Sequence, residues 1–409
     1  MSFIRKIRKH GFRGSLRIVA NIICGPLRPI VYKICRFFPV DERLIVLESE
    51  PDFCDNAWAL YMYLRTKNKY RFVWVVINPK LYQESRDTRF VTRYGVGFRI
   101  RSYYYYSRAS YIIFTHCTLP DFVRNGRQLL IYTSHGCAIK AGKGDGSLFF
   151  DYTLSLGSNV VNAQAAFCGC DKAKIIPLGY PRNDVLFRNV GKGVENPFSS
   201  GQNDKVVLWM PTFRASVQTS LSENGCDTQT GLPLFAEKDA IDELNDFLKK
   251  NELEIIIKIH HLQAEKPLFR EHYSNIVFLT DGEIREAGLQ LYEIVGKSDA
   301  LITDYSSISF DYYLADKPIC FVLDDMSSYE SDRGFVWDDI LQVMPGHHVF
   351  EREELYGFLL EVKAGEDRFA ITRDDVKHFV FNDADDRSCE RFEKFFMCNS
   401  NLGGRGNGR

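Results

Sequence analysis

Short apolar runs alternate with helix-spaced segments along most of the chain. In the first half, runs of strand length lie at 43–48, 72–77, 111–115, 128–133 and 175–178. Segments with the spacing of helices, such as NAWALYMYL, lie between them. Because strands that alternate with helices form parallel sheets covered by helices, this pattern predicts a doubly wound α/β fold.

The alternation stops at 191–204 and then resumes. The stretch GKGVENPFSSGQND has the Gly, Pro, Ser and Asn content of a linker. Further strand-length runs follow at 205–210, 254–259, 275–279, 299–303 and 319–323. Helical spacing recurs at about 238–250, 284–297 and 306–315.

A chain of 409 residues exceeds what one compact core usually holds. We therefore predict two Rossmann-like domains, at 41–190 and 205–383, joined by the linker 191–204. A C-terminal helix and a frayed tail are expected at 384–409. Since ligands of open α/β sheets bind beyond the carboxyl ends of the strands, the predicted site is a central cleft that the two domains face.

The composition is that of an ordinary globular protein, with 26% charged residues and a formal net charge of -1. A near-neutral chain is not expected to bind nucleic acid. Eleven cysteines without a Cys-x-x-Cys pair indicate reduced thiols in the cytosol, in place of a disulfide framework or a zinc site.

Residues 1–40 contain nine Lys or Arg residues and no acid, the first acid being Asp41. Their longest uncharged run, IVANIICGPL, is much shorter than the roughly 20 residues of a membrane-spanning helix. A secretory signal is not expected either. The mixture of apolar and basic residues favours an amphipathic segment on an anionic membrane surface. The alternative is a basic segment that packs on the domain or is partly disordered.

Two polar residues stand just beyond predicted strands. His135, in SHGCAIK, follows the run 128–133, and an imidazole is suited to take a proton from an alcohol near neutral pH. Arg214, in PTFR, follows the run 205–210 and could hold a phosphate in a bidentate manner. Taken alone, His135 could equally be a loop histidine without a functional role. Arg214 could equally be a partner in a surface ion pair.

His260 and His261 follow the run 254–259. Adjacent residues of an extended chain point to opposite faces, so the two imidazoles are not expected to share a metal ion. No third ligand stands at metal-binding spacing, and no metal site is predicted.

The stretch ITDYSS ends a predicted strand with Asp304 and opens a predicted helix with Ser306 and Ser307. Free amides at the start of a helix, together with a hydroxyl and the positive end of the helix dipole, would bind an anion. Simple N-capping by a serine is the alternative. The stretch GYPRND at 179–184 fixes a turn, and a structural role is expected for it.

The order of these motifs resembles the CDP-glycerol glycerophosphotransferase family, the teichoic-acid primases and polymerases. The series is HG-x-x-x-K, G-x-PRND, PTFR, K-I-H and ITDYSS-x-x-FD, then KP and RGF. The resemblance runs from Asp55-Asn56 to the helix at Ser388–Phe392.

The resemblance implies a GT-B-like fold in a protein that is peripheral on the cytoplasmic face of the membrane. Such enzymes transfer an alditol phosphate from CDP-glycerol or CDP-ribitol to a hydroxyl of a lipid-linked glycan acceptor and release CMP. Glycerol phosphate is the first expectation here, in the synthesis of a teichoic acid or a capsule-like polymer. No cofactor is expected beyond a loosely bound Mg²⁺. A GT-B glycosyltransferase that uses a nucleotide sugar is the alternative, and a non-catalytic membrane-surface protein is a further one.

The resemblance also assigns roles to residues of this sequence. His135 matches the general base that acts on the acceptor hydroxyl, and His260 matches a histidine near the phosphates of the donor. We assign donor binding to Arg214, Lys258, Asp304, Ser306 and Ser307. Supporting roles go to Gly136, Lys140, Arg182 and Asp311.

The sequence departs from the family pattern beside its histidines. Ser134 stands where the family usually has Trp, Cys137-Ala138 where it has Thr-Pro, and His261 where it has Pro. Because of these departures, the resemblance does not determine the identity of the acceptor.

Overall fold

The computed structural model describes residues 37–92, 100–116, 127–142, 149–189, 196–203, 205–212, 230–259 and 267–398, with Ile30, Lys33 and Ile34. Most of the basic segment predicted at 1–40, much of the linker and the end of the C-terminal tail lie outside these residues. Within the described ranges, no helix has the length and apolar character that crossing a bilayer requires.

The strands of the described residues are β1 (Asp41–Glu48), β2 (Arg71–Val76), β3 (Thr88–Thr92), β4 (Ala109–Phe114), β5 (Leu129–Tyr132), β6 (Tyr152–Leu154), β7 (Ile175–Ile176), β8 (Lys205–Trp209), β9 (Leu253–Lys258), β10 (Ile276–Leu279), β11 (Ala300–Thr303), β12 (Ile319–Val322) and β13 (His347–Val349).

The α-helices are α1 (Asp55–Arg65), α2 (Ile100–Arg108), α3 (Val161–Cys168), α4 (Asp184–Asn189), α5 (Lys238–Lys250), α6 (Asp281–Glu286), α7 (Leu291–Val295), α8 (Ile308–Tyr312), α9 (Met326–Asp332), α10 (Arg352–Ala364), α11 (Ala370–Val380) and α12 (Ser388–Phe392). A 3₁₀ turn, Tyr313–Ala315, follows α8, and a π-helical turn, Glu393–Met397, follows α12.

Both sheets have the doubly wound strand order. The first runs β3-β2-β1-β4-β5-β6-β7, and the second runs β10-β9-β8-β11-β12-β13. The neighbours from β3 to β6 and all neighbours of the second sheet pair in parallel. In each sheet the order reverses once, between β1 and β4 and between β8 and β11, and such switch points are where α/β folds bind ligands.

Burial explains why the apolar runs become the central strands. Every residue of β9, β11 and β12 is buried. Strands covered on both faces by helices are mostly apolar, and the sequence shows this pattern apart from the buried Glu254 and Lys258 of β9 and Thr303 of β11. In the second unit the helix α5 buries Ile241, Leu244 and Leu248 in the same core.

Contacts divide the chain into two compact units. The first comprises Met1–His135, Leu148–Leu154 and Cys389–Arg409, and the second comprises Gly136–Ser147 and Ser155–Ser388. The sequence placed the division at the linker 191–204, whereas the segment from Ser155 onward packs with the second unit. One reason is that α4 packs on α7 and on the 3₁₀ turn, and that Asp184 accepts a hydrogen bond of 2.9 Å from the amide of Ser388.

Candidate functional site

His135 lies just beyond β5 in the first unit. The chain turns at Ser134, whose φ of 59° lies in the left-handed region, and the imidazole that follows is exposed. Its Nδ1 lies 3.4 Å from the hydroxyl of Tyr132 and 3.4 Å from the carbonyl oxygen of Thr115. These contacts are long for hydrogen bonds, so they orient the ring only loosely.

A second histidine, His116, stacks on His135. Their ring centroids are 4.6 Å apart and their planes differ by 8°. The Nδ1 of His116 lies 2.8 Å from the hydroxyl oxygen of Thr115. Sequence reasoning did not single out His116, although it follows β4 at the same kind of strand exit that drew attention to His135.

Asn56 anchors the backbone that carries His135. Its fully buried side-chain amide donates hydrogen bonds of 3.1 Å to the carbonyl oxygens of Thr133 and Ser134. Asn56 belongs to the first turn of α1, so the helix fixes the position at which the chain leaves β5. The asparagine of the Asp55-Asn56 motif therefore has a structural role in the first unit, since it holds the backbone that precedes His135.

Asp304 stands at the switch point of the second sheet. It is fully buried, and its carboxylate accepts hydrogen bonds from the amide of Thr212, at 2.8 Å, and from the Thr212 hydroxyl. Asp304 thereby holds the chain as it leaves β8 toward Arg214. Arg214 itself lies outside the described residues, as does His260.

Ser306 and Ser307 are half-buried at the start of α8. Ser307 occupies the N-cap position, but its side chain makes no capping hydrogen bond. N-capping therefore does not account for this hydroxyl. The helix has only five residues, so its dipole is weak, and an anion here would depend mainly on hydroxyls and amides.

The segment that follows His135 belongs to the second unit and approaches Ser307 closely. A Cβ atom at Gly136 would lie 2.0 Å from the Ser307 Oγ, so no larger residue fits without displacement. The hydroxyl of Tyr180 donates a 3.0 Å hydrogen bond to the Gly136 carbonyl oxygen. The glycine of the HG motif thus permits a backbone approach to the serine pair.

Lys140 lies on the same segment, which pairs with the RGF motif. Lys140 forms an antiparallel bridge with Phe335, and the next amide, that of Ala141, donates to the Gly334 carbonyl oxygen at 2.9 Å. The Lys140 Nζ lies 5.8 Å from the centre of the Tyr329 ring. Two motifs far apart in sequence therefore form one piece of structure.

Arg182 and Asp311 form a buried ion pair in the second unit. The Arg182 Nη2 lies 2.6 Å from the Asp311 Oδ2, and the two side chains are 5% and 0% exposed. Asn183 donates to the other carboxylate oxygen at 2.8 Å, and the hydroxyl of Tyr292 also donates to Asp311. The carboxylate thus has three donors, as a buried charge requires.

Lys258 has a different setting. Its Nζ lies 2.9 Å from the Asp281 Oδ1 and donates a 3.0 Å hydrogen bond to the carbonyl oxygen of Ile259. The side chain is 9% exposed. A phosphate bound here would have to share the ammonium group with Asp281.

Cys137, which departs from the family pattern, is a buried thiol. Burial raises its pKa, so it stays protonated at neutral pH and is a poor nucleophile. Among the described residues, no group of three or more His, Cys, Asp or Glu side chains has the arrangement of a metal site.

Known proteins share both the sequence pattern and the fold. Residues 30–396 match the family described as CDP-Glycerol:Poly(glycerophosphate) glycerophosphotransferase. The teichoic acid glycerol-phosphate primase of Bacillus subtilis (strain 168) is 28% identical over 207 residues, which are 50% of this chain and 48% of that protein. The teichoic acid poly(glycerol phosphate) polymerase of Bacillus spizizenii is 26% identical over 346 residues, 76% of this chain and 81% of that protein.

A solved structure of the wall teichoic acid polymerase TagF superposes with a TM-score of 0.71 at 22% identity, covering 95% of this chain and 96% of the other. At this identity the likeness concerns the fold, and it confirms the predicted two-domain, GT-B-like α/β architecture. Since the family match spans most of the sequence, the chain belongs to the CDP-glycerol:poly(glycerophosphate) glycerophosphotransferase family of transferases.

Proposed function

We propose that this chain transfers an alditol phosphate, glycerol phosphate foremost, from a CDP-alditol to a hydroxyl of a lipid-linked acceptor and releases CMP. The polymer would be a teichoic acid or a related surface polymer. Family membership over residues 30–396 carries the proposal. The half-buried Ser306 and Ser307 beside the switch point of the second sheet support it, because Ser307 does not serve as a helix cap.

In the proposed reaction, the acceptor oxygen attacks the phosphorus that bears the alditol, in line with the bond to CMP. A bond forms between the acceptor oxygen and that phosphorus, and the bond from phosphorus to the bridging oxygen breaks. The proton of the hydroxyl passes to His135, and the electron pair of the broken bond leaves with CMP.

The second unit supplies the groups that hold the charge of the diphosphate. We assign this task to Ser306, Ser307 and the amides of α8, with Arg214 and His260 as further donors. Preorganised donors of this kind stabilise the charge that shifts to the leaving group. Asp304 takes part by holding the chain that leads to Arg214, as its hydrogen bonds to Thr212 indicate.

Binding of the donor tests the site directly. Because a hydrogen bond to a charged group contributes about 1.5–3 kcal/mol and the Ser306→Ala/Ser307→Ala variant lacks two hydroxyls, it should bind its CDP-alditol at least roughly 100-fold more weakly than the unmodified chain. Calorimetry with CDP-glycerol and with CDP-ribitol measures this and identifies the alditol.

Ser327 and Ser328 provide the matched control, since they are adjacent, exposed serines of the same unit. Ser327→Ala/Ser328→Ala should leave the donor affinity unchanged. If neither CDP-alditol binds and a nucleotide sugar does, the reaction is glycosyl transfer and the proposal is wrong.

We further propose that the basic N-terminal segment attaches the protein to an anionic membrane surface. Its nine cations all lie within residues 1–36, and Phe38 packs edge-on against Tyr104 at 5.3 Å between ring centres. Deleting residues 1–36 therefore spares that contact. The deletion should abolish flotation with vesicles of phosphatidylglycerol and phosphatidylcholine.

A variant in which Gln replaces the nine cations distinguishes two sources of membrane binding, namely attraction to anionic lipids and insertion of apolar side chains. Loss of binding in this variant as well would assign the attachment to charge. Unchanged flotation of the chain that lacks residues 1–36 would show that the segment is not the anchor.

A further inference from the structure

A pocket opens at the end of the first sheet where its strands begin, which is opposite to the end that carries His135. It has a volume of about 660 Å³ and is lined where β1, β4 and β5 begin, with Lys69 and Tyr70 before β2 and with Phe396, Met397 and Cys398. All of these residues belong to the first unit. The volume falls in the range of small-molecule sites.

The pocket is lined mainly by positive charge. Arg43, Lys69 and Arg127 are exposed, and none makes an ion pair with a described residue. Among the described residues that line the pocket, Glu42 is the one carboxylate. Asp41, which lies beside the pocket lining in sequence, is already paired with cations that do not line the pocket, Arg71 and Arg108.

A tyrosine hydroxyl adds a neutral donor. Tyr111 lines the pocket, and its hydroxyl has no hydrogen-bond partner among the described residues. Burial, then the nearby Cys398 and Glu42, raises the Tyr111 pKa, so the hydroxyl keeps its proton at neutral pH. The apolar part of the lining comes from Val40, Leu129 and Phe396, which could take up carbon atoms of a ligand.

The charges of residues 1–36 and 399–409 do not suit this pocket. The lining includes Val40 and Cys398, so residues 1–36 lie a few residues before it in sequence and residues 399–409 follow it directly. The first segment holds nine cations and the second holds Arg405 and Arg409, and neither contains an acid. Like charges disfavour occupation by either segment and favour an anionic ligand.

We propose that this pocket binds a phosphate ester, with Arg43, Lys69 and Arg127 around the phosphate and the Tyr111 hydroxyl as a further donor. Guanidinium groups hold phosphate oxygens in a bidentate manner, and the apolar residues contact the organic part. The ligand could be a soluble ester or the headgroup of an anionic lipid. Binding of such an ester does not require the chain to catalyse alditol-phosphate transfer.

Calorimetry on the full chain tests the pocket with two probes, sn-glycerol 3-phosphate and dihexanoyl-phosphatidylglycerol below its micelle concentration. The Arg43→Gln/Arg127→Gln variant should bind the preferred probe at least about 100-fold more weakly, since each lost charge-assisted bond costs roughly tenfold. Tyr111→Phe should cost about tenfold for the loss of one hydrogen bond to the phosphate.

Arg65 and Lys80 form the matched control, because they are exposed cations of the same unit that do not line the pocket. Arg65→Gln/Lys80→Gln removes the same charge and should leave binding intact. Preference for the lipid probe identifies a headgroup site, and preference for glycerol phosphate identifies a soluble ligand.

Three results would overturn the proposal. One is that neither probe binds. Another is that the control variant weakens binding as much as the pocket variant, which would reduce the effect to surface charge. The third is that binding depends on Ser306 and Ser307 and not on Arg43 and Arg127, which would place the probe at the donor site.

Discussion

Replacing His135 with alanine is expected to lower kcat by a factor of roughly 10² to 10⁴ and to leave the affinity for the CDP-alditol unchanged. The imidazole is exposed, and its Nδ1 lies 3.4 Å from the Tyr132 hydroxyl and from the Thr115 carbonyl oxygen, which leaves the ring accessible to a substrate hydroxyl. The donor groups that we assign to the second unit do not include it. Release of CMP measures turnover, and calorimetry measures donor affinity.

His116 offers the matched comparison, since it carries the same ring in the same stack. We expect His116→Ala to lower turnover less than His135→Ala. The reason is that His116→Ala removes a ring that stacks on the proposed general base, whereas His135→Ala removes the base itself. A larger loss in His116→Ala would transfer the role of base to His116. Equal losses of turnover and donor affinity in His135→Ala would contradict a role confined to proton transfer.

The central strands could be predicted because burial on both faces leaves a continuous apolar run. Strands such as β9 and β11 show this run directly. The sequence did not reveal β3 and β13, which lie at the edges of their sheets and read TRFVT and HHV. An edge strand has fewer apolar neighbours, so its residues carry a weaker signal.

The helices were predicted less evenly. The predicted helix at 238–250 is confirmed as α5, whose apolar residues recur on one face. The predicted helix at 284–297 was wrong in extent, because the structure has two short helices, α6 and α7, separated by Gly288 with a φ of 71°. That left-handed conformation ends α6, and it favours glycine.

The sequence predicted which candidate site residues follow the ends of strands. It did not predict which of these residues contact one another in the folded chain. The sequence placed His135, Asp304 and the serine pair correctly beyond their strands, because that position follows from strand length. It gave no sign that Gly136 would pack on Ser307 or that Arg182 would pair with Asp311. Which two loops meet depends on the three-dimensional packing of the unit, and local sequence does not encode it.

The Arg182–Asp311 pair should be a sensitive point of the second unit, because both side chains are buried. Among the described residues, Arg182→Met leaves the fully buried carboxylate of Asp311 with the neutral donors Asn183 and Tyr292. Removing one partner of a buried ion pair typically costs about 3–5 kcal/mol, so we expect a loss of that size in the free energy of unfolding. The free energy of unfolding is measured by titration with urea, with cleavage sites in the second unit as the probe of limited proteolysis at each urea concentration. This probe is needed because a two-unit chain need not unfold in one step.

An exposed ion pair of the same unit gives the reference value. Lys363 and Glu252 are 2.9 Å apart, with 27% and 70% of their side chains exposed. Lys363→Met should cost no more than about 1 kcal/mol, because exposed pairs contribute little. Equal losses from Lys363→Met and Arg182→Met would mean that burial does not strengthen the Arg182 interaction.

The double variant Arg182→Met/Asp311→Leu separates a structural role of the pair from a role in catalysis. Replacing both partners removes the uncompensated charge, and such apolar replacements of buried pairs are often neutral or stabilising. We therefore expect the double variant to regain most of the stability that Arg182→Met loses. If it regains stability and turnover together, the pair only supports the fold around Gly136 and Ser307. If it regains stability and still fails to bind the CDP-alditol, the pair positions Ser307 for the donor, since the Arg182 Nη2 lies only 3.7 Å from where a Gly136 Cβ would stand.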